Sequence, residues 1–184
     1  MALVPYIELP DMPPSVQPLM QQVPPLNIFK ALANSEAVIT GLVELGQALR
    51  ATGTLDKRLK ELIILRVGFQ SRANYEVFQH RQVARVLDIA PEKVDALQGS
   101  PDAEIFSRLE RDVLRLTDAL LEDVKAPAEL LAPVAEALSP GQLVEVLTVV
   151  GLYMLICRIL ETLEIDVEDE DDEIMAKLPT LVAS

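Results

Sequence analysis

The chain has 184 residues, half of them hydrophobic, which is enough for one buried core and too few to favour two independent domains. Sixteen basic and twenty-nine acidic side chains give a net charge of −13. This charge repels phosphate backbones and anionic headgroups, so we expect no nucleic-acid partner and no membrane partner.

Residues 1–25 differ from the rest of the chain because they hold seven of the thirteen prolines. Proline fixes φ and removes a backbone donor, so we predict an extended N-terminal arm that lies on a surface, which a neighbouring subunit could provide. The segment has too little predicted regular structure to bury its own apolar residues. These residues are Val4, Tyr6, Ile7, Leu9, Leu19 and Met20.

The N-terminus lacks the basic start and the long apolar run of a signal peptide. No apolar stretch is expected to reach the length of about 18 residues that a membrane span needs. A cytoplasmic location is therefore expected.

Residues 26–165 are predicted to form a helical domain, because they contain no alternating strand segment and no glycine-rich phosphate loop. Thr54 or Asp56 is expected to cap the third helix, and the apolar run LIILRVGF predicts that this helix is central and buried. The fold class is all-α, a compact bundle of seven to eight helices. In chain order the predicted helices cover residues 27–35, 36–53, 54–72, 74–88, 90–98, 102–124, 127–138 and 139–166.

Residues 166–184 are predicted to be an acidic C-terminal tail, because EIDVEDEDDE places eight acids among ten residues. A solvated tail is the main interpretation, and an ion-binding site is the alternative. Cys157 is the only cysteine, so neither a disulfide within the chain nor a thiolate metal cluster is available. Its apolar context GLYMLICRIL predicts a buried, small hydrophobic residue.

The only histidine, His80, interrupts an apolar helix face together with Glu76, one turn earlier. Side chains four residues apart on a helix can form a hydrogen bond, and burial strengthens that contact. Desolvation raises the pKa of a carboxyl and lowers that of an imidazole, while their mutual attraction does the reverse, so the pair could share a proton near neutral pH. The pair is therefore either a structural core pair or a general acid/base.

The preceding helix adds Glu61 as a third candidate residue. Gly68, two turns later, lowers helix propensity by about 1 kcal/mol relative to alanine, so another helix or a ligand is expected to use the space beside it. Arg66 shares a stripe with apolar residues and therefore needs a carboxylate partner or a helix end.

The sequence LDKRLKELIILRVGFQSRANYEVFQHRQVARVLDIAPEKVDAL resembles the core of the carboxymuconolactone decarboxylase family, which includes the alkylhydroperoxidase D-like proteins. The segments PPLNIFKALANS and LVEVLTVVGLYMLICRILETLEID resemble the flanking parts of one large subgroup. The resemblance implies an all-helical fold and assembly as a homo-oligomer, either a dimer, a trimer or a hexamer.

In the peroxidase branch of this family a glutamate is followed twelve residues later by a cysteine, three later by a second cysteine and four later by a histidine. Counted from Glu61, these positions hold Ala73, Glu76 and His80. The acid and the imidazole match, and both thiols are absent. In that branch the glutamate and the histidine relay a proton to activate a cysteine, so we predict that the thiol peroxidase cycle does not run here.

The decarboxylase branch implies chemistry without thiols or cofactors, in which a carboxylated lactone loses carbon dioxide and the resulting dienolate is protonated at another carbon. His80 is the candidate proton donor, oriented or charged by Glu61 or Glu76. Tyr75 and Tyr153 are candidate substrate ligands, with packing as the alternative role for both. An anionic substrate would need a cation, for which the candidates are Arg58, Arg66, Arg72, Arg81 and Arg158.

Two hypotheses follow from the sequence. The first is a cofactor-independent lyase or isomerase that binds a small oxygenated acid or lactone from aromatic breakdown. The second is a non-catalytic, ligand-binding oligomer that has kept the fold. A hydrolase or an unusual peroxidase is the third alternative.

Overall fold

The structure is a computed structural model that describes residues 2–168, and these residues form nine α-helices and one 3-10 helix, without a strand. The predicted all-α class is confirmed. The described part contains one helix more than expected, because α1 is a four-residue helix in the segment predicted to be extended. The helices are α1 (Gln17–Met20), α2 (Asn27–Leu32), α3 (Glu36–Ala51), α4 (Lys57–Gln70), α5 (Asn74–Val86), α6 (Pro91–Ala96), α7 (Arg108–Glu122), α8 (Ala128–Ala137) and α9 (Pro140–Thr162).

Contacts divide the described chain into two units. The first contains the residues up to Gly53 together with those from Leu160 onwards, and the second is Thr54–Ile159. The division into an arm at 1–25, a helical domain at 26–165 and a tail at 166–184 stays a prediction.

The N-terminal segment in the first unit is not extended throughout, which corrects the prediction. It contains the 3-10 helix Leu9–Asp11 as well as α1. Met12, Val16 and Met20 are buried, because these short turns gather apolar side chains on one side. Leu9 is 36% exposed, which agrees with the expectation that this segment does not bury all of its own apolar residues.

The first residues of the predicted acidic tail are bound within this unit. The Tyr6 hydroxyl and the Ala2 backbone amide each lie 3.3 Å from Oδ2 of Asp166. The Asn27 side chain donates to the backbone carbonyl of Asp166 at 3.0 Å, and its backbone amide donates to the Glu168 carboxylate. Residues 166–168 are therefore held by hydrogen bonds, and the rest of the predicted tail lies outside the described residues.

Helix α4 is buried in the second unit, as the sequence predicted. Every residue from Glu61 to Gly68 is buried, and the helix packs against α5 and α7. The Asp56 side chain accepts a hydrogen bond from the Leu59 amide at 2.9 Å, which identifies Asp56 as the predicted cap. The buried core beside α4 contains Leu62, Leu65, Ala84, Ile89, Val94, Leu97, Phe106 and Leu114.

A tight turn joins α4 to α5. Arg72 adopts the left-handed conformation, with φ of 56°. The amides of Arg72 and Ala73 donate to the carbonyls of Phe69 and Gly68 at 3.1 and 2.9 Å, which are the two hydrogen bonds of a Schellman motif. Because the connection is so short, α5 returns along α4 and the two helices are neighbours.

Helix α7 begins at Arg108 and not at residue 102, which corrects the predicted boundary. Ser107 and Glu110 form a capping box, in which the Ser107 amide donates to Glu110 Oε2 at 2.6 Å and the Glu110 amide donates to Ser107 Oγ at 3.3 Å. The S-x-x-E signature of such a box is present in the sequence and marks this start.

Helix α9 corrects the expectation that no segment is long and apolar enough to span a membrane. Its 23 residues are long and apolar enough to span a membrane by length and composition, and 33% of its most apolar 18-residue segment is buried. A single such helix is weak evidence, because core helices of soluble proteins pass the same test. Val146, Val149 and Val150 are at most 1% exposed, so one side of α9 is packed in the protein.

Candidate functional site

The Schellman turn between α4 and α5 brings Glu61, Glu76 and His80 together, as the sequence pattern predicted. Nδ1 of His80 lies 2.6 Å from Oε1 of Glu61 and forms a hydrogen bond with it. Nε2 of His80 lies 2.9 Å from Oε1 of Glu76, one turn earlier on α5. The imidazole is therefore held between two carboxylates, one from each helix. Glu61, Glu76 and His80 are called the trio below.

The imidazole is the most accessible group of the three. The side chains of Glu61 and Glu76 are 4% and 6% exposed, whereas that of His80 is 16% exposed. A molecule that reaches this site therefore finds the ring of His80 more accessible than either carboxylate.

The two carboxylates change the protonation of His80. Burial opposes the charged imidazolium, but attraction to Glu61 and Glu76 outweighs burial and raises the pKa of His80 to about 10. The ring is therefore an imidazolium at neutral pH, and both of its nitrogens carry a proton. The group behaves as a proton donor and not as a base.

The two nitrogens of His80 are held differently. The contact of Nδ1 with Glu61 is an aligned hydrogen bond. Oε1 of Glu76 is completely buried and has no aligned hydrogen-bond partner among the described residues, although it lies 2.9 Å from Nε2. The short distance gives an ion pair, while the direction of the N–H bond does not favour a hydrogen bond. Hence the Nε2 proton is the less firmly held of the two.

Gly68 on α4 lets α5 approach closely, above all at Val77. A Cβ atom at Gly68 would lie 3.6 Å from both Cβ and Cγ of Glu76 and 3.1 Å from Cγ2 of Val77. The missing side chain therefore allows close contact between α4 and α5, which is the first of the two uses expected from the sequence.

Two tyrosines were candidate substrate ligands. The ring of Tyr153, on α9, meets the imidazole of His80 edge to face, with centroids 5.2 Å apart and planes at 86°. Tyr153 therefore belongs to the surroundings of the trio. Tyr75 lies beside Glu76 in the sequence and is 3% exposed, so it is a buried residue of α5. The roles of both in substrate binding stay predictions.

The guanidinium of Arg66 is bound by other groups of the protein. Its guanidinium forms a bidentate ion pair with Asp118 on α7, at 2.6 and 2.7 Å. It also donates to the carbonyls of Leu97 and Gly99. These partners are the carboxylate and the backbone acceptors that a buried arginine needs, so the geometry supports an anchoring role. Its role as a substrate ligand stays a prediction, and no local sequence pattern indicates Asp118 as the partner.

Cys157 is 2% exposed, as predicted for a small hydrophobic residue. Within residues 2–168, no group of three or more histidine, cysteine, aspartate or glutamate side chains is arranged to hold a metal ion. The carboxylates of Glu61 and Glu76 and the imidazole of His80 are groups that can transfer protons.

We expect a titration of the single histidine by NMR to give a pKa near 10 for His80 in the folded protein, because the two carboxylates stabilise its charged form. Glu61→Gln and Glu76→Gln should each lower that pKa, while Glu136→Gln, at an exposed position of α8, should not change it. An ordinary histidine pKa in the wild type would contradict this geometry.

The sign of the effect on stability follows from the raised pKa. The two carboxylates stabilise the folded protein through the charged form of His80. This stabilisation is complete below the ordinary histidine pKa of about 6.5, declines as the pH rises, and is lost above about 10. The difference in unfolding free energy between the wild type and His80→Gln should therefore change between these two pH values and be constant below them.

Comparisons with known proteins agree with this fold. The model of the carboxymuconolactone decarboxylase family matches residues 36–119. A peroxidase-related protein from Ralstonia eutropha, described as an alkylhydroperoxidase AhpD core, has a TM-score of 0.80 at 17% identity and covers 97% of this chain and 96% of its own. A peroxidase-related protein from Silicibacter has a TM-score of 0.76 at 14% identity, with 91% of each chain covered.

A third similar structure is the debrominase Bmp8 in complex with 2,3,4-tribromopyrrole, with a TM-score of 0.75 at 17% identity and 98% of each chain covered. Comparison with curated sequences gives no match. At these identities the similarities establish the fold and leave the activity open. Residues 36–119 of this chain therefore match the carboxymuconolactone decarboxylase family, and the chain has the alkylhydroperoxidase D-like helical fold.

Proposed function

We propose that the protein is a cofactor-independent lyase or isomerase that acts on a small oxygenated acid or lactone from aromatic breakdown. The observation that carries this proposal is the imidazolium of His80 held between Glu61 and Glu76, in the positions where the peroxidase branch has its relay and its second thiol. A proton donor next to a buried carboxylate is the arrangement that enolate chemistry requires.

His80 acts as the general acid in this proposal. The hydrogen bond from Nδ1 to Glu61 orients the ring, and both carboxylates keep it charged. The Nε2 proton lacks an aligned acceptor, so a substrate oxygen can compete for it. As negative charge develops on that oxygen, the imidazolium stabilises it and can transfer the proton.

Glu76 acts as the general base. Its carboxylate, in a side chain that is 6% exposed, accepts a proton from a carbon next to the substrate carbonyl in this proposal. In an isomerisation the C–H bond breaks, its electrons form the enolate, and Glu76 takes the proton, which can exchange with solvent before a proton is returned to another carbon of the conjugated system. No oxidant or reductant is consumed, so the reaction needs only the groups described.

A non-catalytic role is the second candidate. The low exposure of Glu61 and Glu76 also fits a core ion pair that stabilises the helix contact. The accessible edge of His80 and the unaligned Glu76 oxygen favour catalysis, because a purely structural pair gains most when all its hydrogen bonds are made. The similar structure that contains tribromopyrrole supports a small ring compound as ligand for this fold.

Hydrogen exchange tests the proposed reaction. Unsaturated five-membered lactones, with and without a carboxylate group, are incubated with the protein in D₂O, and carbon-bound deuterium and carbon dioxide release are measured. We expect catalysis with at least one of them, and His80→Gln should lower the rate by about 10² to 10⁴ while circular dichroism shows an intact fold. Equal rates for both proteins with every lactone would refute the proposal.

A redox assay separates this function from that of a peroxidase. Because Ala73 and Glu76 occupy the positions of the paired cysteines, organic hydroperoxide with a dithiol should not be consumed. Cys157→Ser should leave lactone chemistry unchanged, since the residue is buried and small. Peroxide consumption that is lost in Cys157→Ser would mean that the reactive centre lies elsewhere.

We also propose that the protein is a homo-oligomer. Val144, Leu147 and Leu155 lie along one side of α9 and are 62%, 42% and 43% exposed, and a second copy of the chain would cover them. Sedimentation should show a particle larger than the 20.2 kDa chain. Leu147→Glu should weaken the association, whereas Val124→Glu, at a position that is 95% exposed, should not. A wild-type monomer at micromolar concentration would overturn this proposal.

A further inference from the structure

The charge of the trio restricts the ligands that it can accept. Glu61 and Glu76 contribute two negative charges, and His80 contributes at most one positive charge. The sum is −2 + 1 = −1 with the imidazolium and −2 with the neutral ring, so the trio is negative in either protonation state. An anion placed beside it is repelled, and the low exposure of the carboxylates weakens screening by solvent.

Two of the candidate arginines of this unit are paired with other acids. Arg66 is engaged with Asp118 and two backbone carbonyls. Arg81, the residue after His80, pairs with Asp95 at 2.7 Å and lies over the ring of Phe69. The other three candidates, Arg58, Arg72 and Arg158, are all exposed to solvent.

Glu76 contributes a second restriction. Its buried Oε1 has no aligned donor among residues 2–168, and a buried acceptor gains most from a ligand that donates a hydrogen bond. A carboxylate ligand brings only further acceptors, whereas a hydroxyl, an N–H or an acidic C–H group adds an aligned donor to the ion pair with Nε2 of His80.

We infer that the site selects uncharged ligands carrying a hydrogen-bond donor or an acidic C–H group over anionic ligands, and that Glu76 sets this selectivity. The inference rests on the proposed function, in which the trio is the ligand site, and it narrows that function. Decarboxylation starts from a carboxylate, so the selectivity favours isomerisation of a neutral lactone over loss of carbon dioxide.

Two probes of almost the same shape test this selectivity: furan-2-carboxamide, which is neutral and has N–H donors, and furan-2-carboxylate. Binding is followed at neutral pH through the imidazole NMR signals, which belong to His80 alone because the chain has one histidine. We expect the amide to bind the wild type about tenfold or more tightly than the carboxylate, since one unit charge at contact distance exceeds a tenfold effect at the effective permittivity of about 20 that is typical near a protein surface.

The matched variants assign the effect to Glu76. Glu76→Gln removes one negative charge with little change of shape, and it should shift the affinity ratio toward the carboxylate by about tenfold. Glu136→Gln, at an exposed position of α8, removes the same charge elsewhere and should leave the ratio unchanged. A ratio that is the same in Glu76→Gln and the wild type would refute the role of Glu76.

The wild-type measurement decides the inference even if Glu76→Gln does not fold. Equal binding of both probes, or tighter binding of the carboxylate, would overturn the selectivity while leaving a ligand site beside His80. If neither probe shifts the imidazole signals at tens of millimolar, the ligand site itself fails, and the proposed function and the inference fail with it.

Discussion

The burial of two carboxylates beside one imidazole is the constraint on which the arrangement of α4 and α5 depends. Removing one partner from a buried ion pair typically costs about 3 to 5 kcal/mol, because the remaining charge loses its compensation. Glu61 and Glu76 lie on different helices and both contact His80. The ion pairs therefore link the two helices in one register, and the same register places the proton donor beside a carboxylate.

The backbone provides this register through local features. The Schellman turn at Arg72 reverses the chain within a few residues, and Gly68 leaves room for Val77 of α5. On the opposite side of α4, the ion pair between Arg66 and Asp118 connects the helix to α7. Helix α4 is therefore fixed on two sides by buried charges, which is a good basis for holding catalytic groups in place.

The sequence predicted those parts of the structure that depend on local spacing. Glu76 and His80 are one turn apart, so their shared face follows from helix geometry, and Asp56 caps α4 where a capping residue was expected. Glu61 was placed in the site by the family spacing. These features need only a few neighbouring residues to form.

The features that the sequence did not predict depend on contacts between distant residues. Asp118 is 52 positions after Arg66, and no local pattern indicates that the two side chains meet. The contacts of Tyr6 and Asn27 with Asp166 likewise join positions far apart in the chain, and they hold residues expected to be solvated. The apolar character of α9 is local to its sequence, but Glu145 and Arg158 interrupt the continuous apolar run that a membrane span is expected to show.

The replacement of a thiol by a carboxylate changes what the histidine can do. Activation of a cysteine requires a base that takes the thiol proton, so the imidazole of a thiol site must be able to exist without its proton. In this chain the matching position holds Glu76, a second negative charge beside the ring, and the pKa of His80 rises to about 10. At neutral pH the ring cannot serve as the base, because it already carries the proton. In the proposed function the same glutamate and histidine that fit a relay toward sulfur act, with Glu76 as the third member, as an acid and a base for transferring protons at carbon.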